Sequence, residues 1–206
     1  MNTSNFNQFL EKLFSQPIFV LDTKFGLEDY ISFDISESNK ELLNFDISSA
    51  LAWEKYIHNY LLNKNGKVAF GGYLEKRNLY DRSDYFKNKK RNIHLGIDLW
   101  CEANTKVLAA LDGEIHSFKN NENYGDYGPT IILKHQFNGE VFYSLYGHLT
   151  LSSIMNIKIG DKIKQGSTIG YLGNSDINGH YAPHLHLQLI RNIGDNFGDY
   201  PGVSSE

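Results

Sequence analysis

The spacing of apolar residues divides the chain into two stretches of different period. Phe6, Phe9, Leu10, Leu13 and Phe14 fall at i, i+3, i+4, i+7 and i+8. That is one face of an α-helix, and it predicts a short amphipathic helix over residues 5–15. Ile31, Phe33 and Ile35 alternate with Ser32 and Asp34, the period of a half-buried strand. A longer helix should follow, with Trp53, Tyr56, Ile57, Tyr60 and Leu61 on one face and Asn65-Gly66 closing it in a left-handed turn. From about residue 67 the pattern becomes predominantly β. Strands are expected at 67–73, 96–101, 106–118, 129–136, 140–147, 168–172 and 184–190, punctuated by Asp112-Gly113, Asn138-Gly139 and Asn178-Gly179. No long helical period intervenes, which points to antiparallel pairing rather than a doubly wound sheet.

The expected fold class is therefore mainly β, α+β overall. Residues 1–66 would form a small, partly helical N-terminal region, and residues 67–206 a compact β domain. The leader's helices have apolar faces that must be buried somewhere, so membership of the core is its default role. An inhibitory prosegment and a docking surface are the alternatives.

Composition narrows the class. A chain of 206 residues with 41% hydrophobic and 21% charged positions is ordinary for a soluble globular protein large enough to bury a core without staples. With 20 basic and 24 acidic residues the net charge is −4, which offers no general field for nucleic acid or an anionic membrane. The start, MNTSNFNQFLEKLFSQ, has no basic n-region, and nothing approaches the ~18 uninterrupted apolar residues of a membrane span. The expected compartment is the cytoplasm. The single cysteine, Cys101, forms no internal disulfide and is expected in a buried strand beside Trp100. The basic run 87–91, KNKKR, reads as a solvated loop.

The candidate chemistry lies in the histidines. Four of the eight fall in unusual contexts: His94 in HLGID, His148 in LYGHL, and His184 and His186 in PHLHLQL. In the last, His184, His186 and Gln188 alternate with Leu185, Leu187 and Leu189. Two imidazoles then project from one strand face, ~6.6 Å apart along the strand, while the leucine face must be core. Paired inward histidines fill a core poorly and build a metal or acid–base site well. His94 and Asp98 flank Gly96; fully extended they would lie ~13 Å apart, so a bend at Gly96 is expected to let both side chains converge. Two imidazole nitrogens and one carboxylate leave the fourth position of a tetrahedral zinc open, as a catalytic zinc needs. Spacing does not decide which of His184 and His186 would bind the metal.

Taken together, HLGID (94–98), DYGPTIILKH within 125–135, YGHL (146–149), GDKIKQGSTIGYLG (160–173) and PHLHL (183–187) resemble the lysostaphin-like zinc metalloendopeptidases, many of which cut peptidoglycan peptides. The resemblance covers roughly residues 67–190. It implies a compact, mostly antiparallel β-sheet metallopeptidase domain with its site in a long groove. It also implies His94, Asp98 and His186 as zinc ligands, His148 and His184 as catalytic histidines that do not bind the metal, and a peptide or peptidoglycan substrate. Three features depart from the family pattern: Asn178-Gly179-His180-Tyr181-Ala182-Pro183 before HLHL, Gln188 where an acidic residue is frequent, and a long insert at 78–93.

The implied reaction is metal-assisted amide hydrolysis. No HExxH glutamate is present, so His148 or His184 would serve as base. Tyr73, Tyr80, Tyr85 and Tyr127 are candidates to donate to the oxyanion, with core packing the default role of any single one, and His135 would be structural or support the site from outside. Two rivals use the same scaffold: a peptide- or peptidoglycan-binding regulatory module that does not cleave, and a cytoplasmic amide hydrolase.

Overall fold

A computed structural model describes residues 3–82 and 91–205. Two helices and twelve strands follow in chain order among the described residues. Helix α1 (Thr3–Leu13) and strand β1 (Tyr30–Ser32) come first. Helix α2 (Ala50–Asn63) then leads to β2 (Val68–Gly71). The remaining strands are β3 (Ile93–His94), β4 (Ile97–Trp100), β5 (Lys106–Leu108), β6 (Gly113–Asn121), β7 (Gly128–Phe137), β8 (Glu140–Gly147), β9 (Lys162–Ile163), β10 (Thr168–Tyr171), β11 (His184–Ile190) and β12 (Val203–Ser204). Among the described residues no helix is long and apolar enough to cross a membrane.

The fold is mainly β, as the apolar periods predict. Eight strands form one sheet in the order β1-β2-β4-β11-β8-β7-β6-β9, and β10-β5 and β12-β3 form two small ribbons. Pairing is antiparallel except between β1 and β2, which run parallel. That exception has a plain cause: α2 lies between the two strands in sequence, and a long crossover is what parallel neighbours require.

Two expected strands are shorter than their apolar pattern. The alternation at Ile31–Ile35 yields only Tyr30–Ser32, because Asp34 turns the chain, its Oδ1 accepting the Ser36 N–H at 2.8 Å. The run 106–118 splits into β5 and β6. Between them Ala109 N–H donates to the Ser167 carbonyl and Ala110 N–H to the Tyr146 hydroxyl, so both leave the ladder. Cys101 falls just beyond β4 and is half-buried. Most of the run 87–91 lies outside the described residues; Arg91 is its described member.

The sheet buries both faces. On one, Leu99, Ile115, Ile131, Leu133, Phe142, Tyr146 and Leu185 pack with Phe6 of α1 and with Val20, Leu21 and Phe25. Phe6 and Phe9 both meet Phe142 edge-on at about 6 Å. On the other face α2 lays Trp53, Ile57 and Leu61 against Phe33, Ala69 and Trp100. Ser49 caps α2, its hydroxyl accepting the Ala52 N–H, and Asn65 takes the left-handed turn at φ 53°. The apolar faces of residues 1–66 are thus spent on the same sheet that carries the histidines. The leucine face of β11 is core only at its start: Leu185 is fully buried, Leu187 half-buried, and Leu189 41% exposed, because cover thins toward the end of the strand.

Candidate metal centre

The register of three strands assembles the site. His186 on β11 sits directly opposite Asp98 on β4 and Gly147 on β8, and His184 opposite Trp100. His94 reaches the same place from a different sheet. The chain bends between β3 and β4, and β3 pairs with β12 instead, so the expected bend at Gly96 is present. Glycine is needed there for space as well: a Cβ on Gly96 would lie 2.5 Å from Cε1 of His186. Similarly, a Cβ on Gly147 would meet the Tyr127 ring at 2.7 Å.

His94, Asp98 and His186 are all buried and offer one ligand atom each in a single cluster. Nε2 of His94 is 2.9 Å from Nδ1 of His186. Oδ1 of Asp98 is 3.3 Å from the former and 3.1 Å from the latter. Ligand atoms of a tetrahedral ion with ~2.0–2.1 Å bonds sit ~3.3 Å apart, so the triangle matches that spacing.

Tautomers sharpen the fit. Nδ1–H of His94 donates to the Gly72 carbonyl at 2.8 Å. Nε2–H of His186 donates to Oε1 of Gln188 at 3.0 Å, and Gln188 is oriented by its own amide donating to the Pro201 carbonyl. Both outer protons are therefore committed, and both inner nitrogens present lone pairs to one another and to a carboxylate oxygen. Three such atoms at ~3 Å repel unless a cation lies among them. The donor set fits a divalent metal ion.

The electrostatics agree. Burial pushes His94 down to about 4, with the nearby Arg77 cation adding to it. Burial alone would raise Asp98, but His94, Arg77 and hydrogen bonds hold its carboxyl well below the usual range. At neutral pH His94 is therefore a neutral imidazole and Asp98 a carboxylate, the forms in which each binds a metal.

His148 and His184 stand beside this cluster with ring centroids 4.1 Å apart. Nδ1–H of His148 donates to the Asn178 carbonyl at 2.8 Å and Nδ1–H of His184 to the Ala182 carbonyl at 2.7 Å. His148 ends β8 at φ 63°, a costly conformation for a residue with a side chain. It is held there because its N–H donates to the Tyr127 carbonyl and its own carbonyl accepts from Gly173. Burial lowers His184 to about 4 and His148 well below the ordinary histidine value, with His184 and His186 adding to the latter.

Around these rings lies a cavity of about 230 Å³. Its lining includes Trp53, Leu79, Tyr80, Trp100 and Tyr181 together with Tyr127, Asp199, Tyr200, Pro201 and Gly202. Of the four tyrosines singled out in the sequence, Tyr127 is at the centre, its hydroxyl 3.4 Å from Nε2 of His186. Burial and neighbouring carboxylates raise its pKa well above the ordinary value. Tyr80 stacks near His94 at 6.5 Å, Tyr73 is largely exposed, and Tyr85 lies outside the described residues. His135 is engaged elsewhere, with the Asp112 carbonyl and Ser144.

Several neighbours carried no sequence signal. Trp100 stacks on His184 at 5.7 Å, Tyr181 meets both His148 and His184 edge-on, and Arg77 binds Asp98. Except for Tyr181 with His184, these contacts join residues far apart in the chain, and no motif spacing encodes them.

Known proteins resemble this chain over part of its length. Glycyl-glycine endopeptidase ALE-1 of Staphylococcus capitis is 34% identical over 103 residues, 50% of this chain and 26% of its own length. Peptidoglycan DD-endopeptidase ShyC of Vibrio cholerae is 31% identical over 100 residues, 48% of this chain and 20% of its own. The chain thus spans about a quarter or less of these curated relatives. Among solved structures, the catalytic domain of the antimicrobial peptidase lysostaphin from Staphylococcus simulans matches at 26% identity with a TM-score of 0.42, covering 71% of this chain and 89% of that one. The family model of Peptidase family M23 matches residues 92–196, a segment that holds His94, Asp98, His148, His184 and His186 and about half of the sequence. The chain belongs to Peptidase family M23.

Proposed function

We propose that this chain is a zinc metalloendopeptidase that hydrolyses amide bonds in short peptides, with peptidoglycan peptides as its substrate class. The observation that carries the reading is the convergence of three potential ligand atoms, Nε2 of His94, Nδ1 of His186 and Oδ1 of Asp98, within 2.9–3.3 Å of one another. The names of the endopeptidase relatives support the substrate class.

Zinc held by these atoms would polarise the scissile carbonyl and acidify a water. The remaining work falls to the chain's own groups. His148 and His184 donate through Nδ1 to backbone carbonyls, which leaves Nε2 of each unprotonated and able to accept a proton. Their lowered pKa values keep both neutral at pH 7. One would accept the proton of the attacking water at Nε2, and that same proton would then pass from the histidine pair to the leaving amine. Tyr127 stays protonated because burial raises its pKa, so its hydroxyl is available to donate to the developing oxyanion.

A second reading, hydrolysis of a small amide, is favoured by the size and the walls of the cavity. The cavity is modest, about 230 Å³, and Trp53, Leu79, Tyr200 and Pro201, which help wall it, lie outside the segment matched by the family. A binding module that does not cleave is the third reading, and the intact set of His94, Asp98, His148, His184 and His186 argues against it.

The test loads the protein with zinc and follows cleavage of peptidoglycan fragments, glycine- and alanine-rich peptides and small amides by mass spectrometry. His186→Ala should lose both bound zinc and turnover, whereas His148→Ala should keep zinc and lose turnover. Full zinc occupancy in His186→Ala would sink the ligand assignment. Binding without cleavage would favour the module, and turnover confined to small amides the second reading.

A further inference from the structure

We propose that Arg77 is the positioning residue that holds Asp98 for the metal, a role built by the segment 72–77 ahead of the family-matched residues 92–196. The inference rests on the reading of His94, Asp98 and His186 as ligands.

Arg77 is only 2% exposed. Its Nη1–H donates to Oδ2 of Asp98 at 2.6 Å, and its Nε–H to Oε2 of Glu75 at 2.6 Å. A buried cation persists when flanked in this way by two carboxylates. Glu75 is itself anchored, accepting the Ile35 N–H, and the segment is laced to β3: Arg77 N–H donates to the Asn92 carbonyl and His94 N–H to the Glu75 carbonyl. The guanidinium plane is thus set by a carboxylate fixed to the fold, and it sets the plane of Asp98 in turn.

The consequence is a division of labour between the two oxygens of Asp98. Oδ2 is occupied by Arg77, and Oδ1 alone faces His94 and His186 at 3.3 and 3.1 Å. Without that anchor the carboxylate would be free to rotate about its last torsion toward any of three neighbouring imidazoles, since His184 is also 3.9 Å away. The fit extends to Gly72. A Cβ there would lie 1.9 Å from Nη2 of Arg77, while the Gly72 carbonyl holds His94. One glycine therefore supports one ligand directly and leaves room for the residue that supports a second. Nη2 has no hydrogen-bond partner, so the guanidinium sits where Asp98 and Glu75 need it, even with one donor unsatisfied.

The experiment measures the zinc affinity of folded, metal-free protein by competition with a chelator, so it needs no substrate. Arg77→Met should lower affinity about 10–100-fold, the usual effect of removing an outer partner of a ligand. Arg77→Lys should fall between wild type and Arg77→Met, because an ammonium can meet Asp98 but cannot bridge it to Glu75. Loss of a neighbouring cation would by itself tighten zinc, and a merely structural role would lower thermal stability alone. Unchanged or tighter zinc in folded Arg77→Met therefore overturns the proposal. If that variant does not fold, Arg77→Lys decides: weakened zinc supports the role and wild-type affinity overturns it. His186→Ala is measured alongside. Retention of zinc there defeats the ligand reading itself, whereas loss of zinc there with an indifferent Arg77 defeats only this inference.

Discussion

Two buried histidine networks in this molecule solve the same problem in opposite ways. In β7 and β8, His135 and Ser144 are both completely buried. Nδ1–H of His135 donates to the Asp112 carbonyl, and the Ser144 hydroxyl lies 2.7 Å from Nε2, with Tyr146 completing the chain. Each nitrogen meets a group of complementary kind, so the network closes on itself and serves packing. At the candidate metal centre every outer nitrogen is also satisfied, yet the inner atoms of His94, His186 and Asp98 face one another with lone pairs only. Burial alone does not mark a functional histidine; the direction of its unprotonated nitrogen does.

The sharpest way to break this contrast is Gly96→Ala. The new Cβ would press on the His186 ring at 2.5 Å, and we expect the protein to retain no zinc through dialysis, whereas His135→Asn should retain a full equivalent. Zinc retained by Gly96→Ala would show that the ring tolerates displacement. Metal removal comes next. At zinc about 1,000-fold above its dissociation constant, binding to the folded state alone adds about 4 kcal/mol, so chelation should lower the melting temperature of wild type and leave His186→Ala unmoved.

Acid separates the networks by a smaller margin. His94 and His184 titrate at about 4 in the fold and near 6.5 when unfolded. The unfolded chain therefore binds more protons between those values, and metal-free stability should fall as pH drops from about 6.5 to about 4, by a few kcal/mol. Below that window these two groups contribute no further change. A flat denaturation profile of metal-free protein across pH 4–6.5 would contradict the depressed values. The smallest effect belongs to the closed network: Ser144→Ala leaves one face of His135 without a partner and should cost about 1–3 kcal/mol, read by urea denaturation, with zinc affinity unchanged.

Much of this was legible in the residues. Period-2 runs located the strands of the main sheet, and the alternation His184-Leu185-His186 placed two imidazoles opposite a leucine that is fully buried. The glycine between His94 and Asp98 marked the bend that joins two sheets. Other readings failed where a partner distant in sequence intervened. The run 106–118 looked continuous until Ser167 and Tyr146 took its amides. Leu189 looked like core until the end of β11 proved uncovered.

By itself the sequence determined a mainly β chain with two short helices and a histidine set in an order that resembles a metallopeptidase, because periodicity and motif spacing are local properties. Tertiary structure alone decided that β1 lies parallel to β2, that His186 faces Asp98 across a strand pair, and that Arg77, Gly72 and Gln188 hydrogen-bond to Asp98, His94 and His186 respectively. Those outcomes depend on register and on contacts between residues distant in the chain, such as Asp98 and His186, which lie 88 positions apart. Spacing along a chain carries no information about which lone pairs will meet.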